Sequence, residues 1–182
     1  MDMSGLPQLI MRNADISALP PLELPEGFEV CHHREGCGME AEWERIIESA
    51  FEKHFDFDFL IKAGDYAPEH VLYISHGGKL IATTSAVENP NFKGEGWYRM
   101  VGVHADARGL GVGRMIGLAA LHDLRARGYK SALLSTDDRR LPAISLYLSL
   151  GFEPVFTHES HDVRWKKVLE QIADHKRKKE NS

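Results

Sequence analysis

Val103-His104-Ala105-Asp106-Ala107-Arg108-Gly109-Leu110-Gly111-Val112-Gly113-Arg114 is the stretch whose reading decides the fold. It ends a strand, crowds three glycines into five positions and opens a helix. Without Cβ atoms at Gly109, Gly111 and Gly113 the backbone can turn tightly and come close to a ligand. Its N–H groups there join the unpaired donors and the positive dipole end of the following helix, which is a setting for phosphate or diphosphate.

Two other glycine loops fail on their letters. A nucleoside-triphosphate loop needs Gly-x-x-x-x-Gly-Lys-Ser/Thr, and no Lys-hydroxyl pair follows these glycines. A dinucleotide fingerprint needs Gly-x-Gly-x-x-Gly, and Arg114 or Ile116 stands at the third glycine's place. What remains is Arg108-x-x-Gly111-x-Gly113 after a strand.

Working outward, Trp97 to Val103 is the central strand that delivers the chain into this loop, and Gly111 to Arg127 is the principal helix, with Gly128 at its end. Before them, Val71-Leu72-Tyr73-Ile74-Ser75 and Lys79 to Val87 flank Gly77-Gly78, a pair that supplies the positive φ a tight hairpin needs; Asn89-Pro90-Asn91 ends the hairpin. Met39 to His54 carries apolar residues at Trp43, Ile46, Ile47, Ala50 and Phe51, with Glu40, Glu42 and Glu44 early, the signature of an amphipathic helix. Phe28 to His32 alternates as a first strand, and Phe55 to Ile61 reads as a short second helix or ordered loop. Residues 1–27 hold Pro7, Pro20, Pro21 and Pro25, a density that blocks helix and central strand, so they read as a loosely packed N-terminal arm.

After the principal helix, Ser131 to Ser135 is a short buried strand, which makes a strand–helix–strand crossover and a parallel pair. A helix then runs between Pro142 and Gly151, Phe152 to Thr157 is a strand, and Trp165, Val168, Leu169 and Ile172 mark a terminal helix to His175. Residues 176–182 read as a solvated basic tail, leaving 28–175 as one folded domain.

Composition narrows the function. The 182 residues are 43% hydrophobic, enough for one full core, and the net charge of −5 argues against broad binding to nucleic acid or an anionic membrane. Cys31 and Cys37 beside His32 and His33 have no second pair at zinc spacing, and His158 and His161 add none, so no metal is expected. No signal-peptide pattern opens the chain and no window reaches ~18 apolar residues, so a cytoplasmic protein without a membrane partner is expected.

The loop pattern resembles the coenzyme A pyrophosphate loop of the GNAT superfamily of N-acetyltransferases. Ala143-Ile144-Ser145-Leu146-Tyr147-Leu148-Ser149-Leu150-Gly151-Phe152 resembles that family's Ala-x-x-Leu-Tyr-x-x-Leu-Gly-Phe, and the resemblance extends over about residues 28 to 157. It implies the α/β acyl-CoA N-acyltransferase fold: a mixed, mostly antiparallel sheet flanked by helices, with a parallel pair splayed at the cofactor. It also implies acetyl transfer from acetyl-CoA to a primary amine of a small molecule or peptide by direct attack in a ternary complex. A homodimer is a further expectation from the family.

Residue by residue, the resemblance assigns the oxyanion donor to the N–H of Val101 and the pairing with the pantetheine arm to Val103. The phosphates fall to Arg108, Gly109, Leu110, Gly111, Val112, Gly113 and Arg114, and stabilisation or reprotonation of the departing thiolate falls to Tyr147. A thiol's pKa of ~8.5 lies below a phenol's ~10, so a protonated tyrosine can serve the thiolate. The alternative for Tyr147 is a core tyrosine that only satisfies its own hydroxyl. Two departures stand out. Arg140 replaces a family asparagine, leaving Asp137 or Asp138 as the expected helix cap, and Trp97, Tyr98 and Arg99 occupy the strand segment where a glutamate base is usual. Glu88 and Glu95 flank that strand and are surface carboxylates or water-mediated bases. The acceptor side falls to Phe55 to Tyr66 and Glu88 to Trp97, where Asp56, Asp58 and Trp97 could hold a cationic amine, or Phe55, Phe57 and Phe59 are core and the aspartates solvated. Rival readings are a non-catalytic acyl-CoA-binding or regulatory module, and an O-acyl or longer-acyl transferase.

Overall fold

The computed structural model describes residues 5–60, 67–88 and 92–180. Along the chain come β1 (Leu9–Asn13), β2 (Phe28–His32), α1 (Met39–Phe51), α2 (Phe57–Leu60), β3 (Val71–His76), β4 (Lys79–Glu88) and β5 (Gly96–Val103). Then follow α3 (Val112–Ala126), β6 (Ala132–Thr136), α4 (Leu141–Ser149), β7 (Glu153–Val155) and α5 (His161–Glu180). These elements fall into two compact units, one of residues 15–132 and one of residues 1–14 with 133–182.

In the 15–132 unit, β2, β3, β4 and β5 form an antiparallel meander in chain order. Gly77 and Gly78 turn the β3–β4 hairpin at φ of 57° and 80°, the doubly positive backbone that matches strand twist. Helix α1 buries Met39, Trp43, Ile46 and Ile47 against Val71, Tyr73 and Phe57. It ends at Phe51, where Glu52 turns left-handed at φ 55° and its N–H donates to the Glu48 carbonyl, so His54 lies beyond it. Helix α3 buries Val112, Ile116, Ala120, Leu121 and Leu124.

Strand β5 is irregular where it matters. Ser85 pairs with Arg99 and Thr83 with Gly102, so Thr84 alone faces both Met100 and Val101, a β-bulge. Met100 takes φ 48°, a left-handed backbone uncommon for a side chain of its size. The Thr84 hydroxyl donates to the Arg99 carbonyl at 2.9 Å and secures the bulge from the neighbouring strand. Side chains alternate along a strand, so Gly96 and Gly102 would share a face; the extra residue reverses the parity. A Cβ on Gly96 would lie 2.6 Å from Leu124 of α3, whereas one on Gly102 would lie 2.9 Å from Ile47 of α1. The two glycines are notches that let α1 and α3 lie close to β5.

In the other unit β1 lies between β6 and β7, and its register with β7 is antiparallel, Ile10 facing Val155. The N-terminal segment is therefore not a loose arm throughout. Prolines spare residues 8–13, and Leu9, Met11 and Asn13 alternate inward as a strand requires. Strand β7 is shorter than Phe152–Thr157 and accommodates Pro154 as the last strand in the order, where a missing N–H does least harm. Helix α5 begins at His161 and continues to Glu180, past the expected end at His175. Its Lys, Arg and Glu residues are good helix formers, so the basic run Lys176-Arg177-Lys178 extends the helix instead of leaving it. Residues 61–66 of the expected acceptor side and the expected Asn89-Pro90-Asn91 turn lie outside the described residues.

Candidate active site

The glycine loop is secured at its start and open at its crest. As β5 ends, the His104 N–H donates to the Ile81 carbonyl at 2.9 Å. A single 3-10 turn, Ala105–Ala107, then uses the N–H groups of Ala107 and Arg108 on the carbonyls of His104 and Ala105. Ser49 of α1 anchors this turn twice: its hydroxyl accepts the Ala105 N–H at 3.0 Å, and its carbonyl accepts the Arg108 guanidinium at 3.1 Å. Arg108 thus braces the loop with its side chain. Gly109 and Gly111 then take φ of 83° and 75°, and the first helical bonds run from Arg114 and Met115 N–H to the Gly111 carbonyl.

Between these anchors, the N–H groups of Gly109, Leu110, Gly111, Val112 and Gly113 have no acceptor among the described residues. Five successive donors around two left-handed glycines, at the start of a fifteen-residue helix, are an arrangement able to hold an anion, a candidate cradle. A Cβ on Gly109 would meet nothing within 4 Å, so steric crowding by protein does not explain the glycine; its backbone conformation does. Nothing in the sequence singles out Ser49 as the residue that braces the loop, since one serine on the polar face of an amphipathic helix carries no signal.

Val101 lies in the bulge of β5, where the ladder with β4 is interrupted, and Val103 pairs with Ala82 beyond it. Bulges concentrate beside active sites because they re-aim backbone groups without a special side chain.

Tyr147 is held by the end of its helix. The Gly151 N–H donates to the Leu148 carbonyl and the Phe152 N–H to the Tyr147 carbonyl, both bonds of a Schellman motif, with Gly151 left-handed at φ 84°. The accompanying apolar contact is the edge-to-face pair of Tyr147 and Phe152, centroids 6.2 Å apart. The Leu-Tyr-x-x-Leu-Gly-Phe pattern is thus physically a helix stop that fixes the tyrosine ring. Asn13 of β1 completes it by donating to the Leu150 carbonyl at 2.9 Å. Burial pushes the Tyr147 hydroxyl up to about 12, against a weaker lowering by the Arg140 charge.

The expected aspartate cap of α4 is absent. Arg140 occupies the cap position with no side-chain capping bond. Asp138 instead takes the Arg164 guanidinium at 2.9 and 2.5 Å, which holds its carboxyl below the usual range, and Asp137 accepts the Gln8 amide at 3.0 Å. Both partners come from elements distant in sequence.

On the acceptor side, Phe57 is buried, stacked on His33 at 4.8 Å and set edge-on to Trp43 at 5.4 Å. Asp56 and Asp58 are exposed, whereas Trp97 is buried and stacked on Phe92 at 5.9 Å. No hydrogen bond or ring contact joins Trp97 to either aspartate among the described residues. Glu88 accepts the Gly94 N–H at 3.3 Å and Glu95 the Ser131 hydroxyl at 3.1 Å. Among the described residues no group of three His, Cys, Asp or Glu is arranged to hold a metal, and no helix is long and apolar enough to cross a membrane. Burial pushes the Cys31 thiol up, and neither cysteine is in a disulfide.

Residues 38–152 match the model of the acetyltransferase (GNAT) family. The chain belongs to this family. It is 32% identical over 144 residues to a mycothiol acetyltransferase of Thermomonospora curvata, covering 75% of this chain and 48% of that protein. A mycothiol acetyltransferase of Nocardioides is 29% identical over 174 residues, covering 84% and 58%. The chain thus spans about half the length of these relatives. A GCN5-related N-acetyltransferase structure from Sphaerobacter thermophilus aligns with a TM-score of 0.67 at 24% identity, over 82% of this chain and 50% of that one. The ribosomal-protein-S18-alanine N-acetyltransferase of Escherichia coli aligns at 0.60 and 19%, over 71% and 79%. These likenesses establish the GNAT fold, the α/β class expected from the loop and the tyrosine motif.

Proposed function

We propose that the chain transfers an acetyl group from acetyl-CoA to a primary amine of a small molecule or peptide. The observation that carries the reading is the row of five unbonded N–H groups from Gly109 to Gly113, which fits a diphosphate without requiring a lysine. When bound, acetyl-CoA supplies an acyl thioester activated towards an amine. Gly109 to Gly113 hold the diphosphate through their N–H groups, with Arg114 adding charge at the rim and Arg108 bracing the turn through Ser49. Val103 pairs with the pantetheine arm, and the Val101 N–H stabilises negative charge on the carbonyl oxygen as the amine adds. Loss of one such donor typically costs ~10²–10³ in rate.

Tyr147 gives its phenolic proton to the sulfur as the carbon–sulfur bond breaks, and recovers a proton from the one the amine releases. Burial makes the hydroxyl a weaker acid but keeps it protonated, and so available as a donor to the thiolate, throughout the neutral range; the parent's rate should not fall through loss of this proton until the pH approaches about 12. Neither Glu88 nor Glu95 is assigned as base. Their existing partners favour one second reading, a binding module that holds acyl-CoA without turnover.

The test is release of free thiol from acetyl-CoA across small amines, polyamines, amino acids and peptides, beginning with the acceptor of the mycothiol acetyltransferases. Amine-dependent release is expected, and Tyr147→Phe should lower kcat about tenfold or more, in the range typical of a lost general acid. Equal rates in both proteins would remove Tyr147 from the chemistry. Absence of turnover with a raised melting temperature on adding acetyl-CoA would favour the binding module.

A further inference from the structure

Helix α1 does not complete its own C-terminal end. Glu52 turns left-handed there and gives its N–H to the Glu48 carbonyl, and no backbone N–H after it takes the Ser49 carbonyl among the described residues. The last carbonyls of a helix lack partners within it and stand at the negative end of its dipole. No basic residue lies in the last turn of α1 to meet them. Arg108 supplies one from the glycine loop, its guanidinium donating to the Ser49 carbonyl at 3.1 Å across 59 positions of sequence. In return the Ser49 hydroxyl accepts the Ala105 N–H at 3.0 Å. Helix end and loop therefore cap one another. The seat of this helix end is fixed as well: a Cβ on Gly102 would lie 2.9 Å from Ile47, 3.3 Å from Ile46 and 3.4 Å from Ala50.

We infer that Ser49 is a positioning residue for the acyl donor, and that Arg108 serves the donor through α1 and not by contact with phosphate. This inference rests on the acetyl-CoA reading above and extends it from the loop to the helix beside it. Ala105 opens the 3-10 turn and Arg108 closes it, so Ser49 holds both ends of the turn, and Gly109 follows at once. Two of the next three residues are glycines, whose backbone has the widest freedom, so the direction in which the loop N–H groups point is inherited from the turn. A loop that samples other arrangements binds its ligand with an affinity reduced by the fraction in the competent one. The charge of Arg108 is already engaged at the negative end of α1. The aromatic wall takes no part in this: it meets α1 at Met39 and Glu40, ~15 Å along the helix axis from Ser49.

Ser49→Ala in the full chain tests the brace, and alanine is the better helix former, so a weaker α1 does not enter the result. Calorimetric titration should show acetyl-CoA affinity about fivefold lower, the weight of one hydrogen bond. KM for acetyl-CoA should rise by the same factor, with kcat and the KM for the amine within about twofold of the parent's. Ser49→Thr keeps the hydroxyl and should bring the affinity back to within about twofold. Hydrogen exchange needs no ligand: the Ala105 amide should exchange about fivefold faster in Ser49→Ala. For Arg108, melting without ligand separates the two roles. Arg108→Ala should melt about 2 °C lower because α1 loses its cap, whereas a phosphate contact alone would leave the melting temperature unchanged. Unchanged affinity in Ser49→Ala, a threonine variant no better than alanine, or a fall in kcat in place of affinity overturns the positioning role; an unchanged melting temperature in Arg108→Ala returns that residue to the phosphate. Failure of the acetyltransferase reading looks different: the parent would neither bind acetyl-CoA nor turn it over, while exchange at Ala105 would still report the brace.

Discussion

The glycine loop and the aromatic wall beside α1 belong to the same unit but are built on opposite principles. In the loop, the candidate binding groups are backbone N–H donors, and the Arg108 side chain is turned to bracing onto Ser49. In the wall, side chains from separate elements satisfy one another. His33 Nδ1 meets the Tyr73 hydroxyl at 3.1 Å, which donates to the Met39 carbonyl at 3.2 Å, while His33 Nε2 lies 3.2 Å from Glu40 and its ring stacks on Phe57. Burial, with Glu40 nearby, pushes the Tyr73 hydroxyl well above its ordinary value, so it stays a donor. A site made of backbone leaves its mark as glycine at fixed spacing; one made of side chains converging from residues 33, 40, 57 and 73 leaves none.

The comparison breaks first at Gly111. Gly111→Val forces a β-branched residue to φ 75° and sets its methyl groups against the cradle. Loss of two charge-assisted N–H bonds, ~1.5–3 kcal/mol each, should weaken acetyl-CoA binding about a hundredfold or more. Titration with acetyl-CoA measures this directly. Affinity equal to the parent's would show that the anion site lies elsewhere.

A variant of the wall should do the reverse. Tyr73→Phe keeps the ring but removes the hydroxyl shared by His33 and the Met39 carbonyl, leaving buried groups without their partner. That costs ~1–3 kcal/mol, to be read as a lower melting temperature, with acetyl-CoA affinity within about twofold of the parent's. A comparable loss of cofactor affinity would mean that wall and loop are one cooperative site.

The same physics explains what could be read before the structure. Strand β2, the β3–β4 hairpin, β5 and α3 were legible because Gly77-Gly78, Gly111 and Gly128 punctuate a clear alternation of periods. Strand β1 was hidden by its neighbours: prolines at 7, 20 and 21 dominate the segment, although Leu9, Met11 and Asn13 carry the period of two. The cap of α4 was misread because Asp138 has a stronger claimant in Arg164, 26 residues away, and pairings at that range cannot be seen in local sequence. Of the candidate site, the glycine loop and the place of Tyr147 at the end of α4 were visible through their motifs. Ser49 and the β5 bulge were not, since a serine and a methionine mark nothing by residue type.

That bulge is where the two principles meet, and it gives the smallest expected effect. Met100 holds a left-handed backbone that costs ~1–2 kcal/mol, and the Thr84 hydroxyl on the Arg99 carbonyl helps to hold it there. Thr84→Val removes that bond and should lower stability by about 1 kcal/mol. If the bulge aims the Val101 N–H, it should also lower kcat severalfold without changing acetyl-CoA affinity, because the cradle lies beyond the strand. Glycine adopts φ 48° without strain, so adding Met100→Gly should restore part of the kcat even though it removes a side chain packed on the α1 cluster. Recovery of rate alongside a further loss of stability would separate aiming from packing. A double variant slower than Thr84→Val alone would make the bulge a packing feature and leave the oxyanion to another donor.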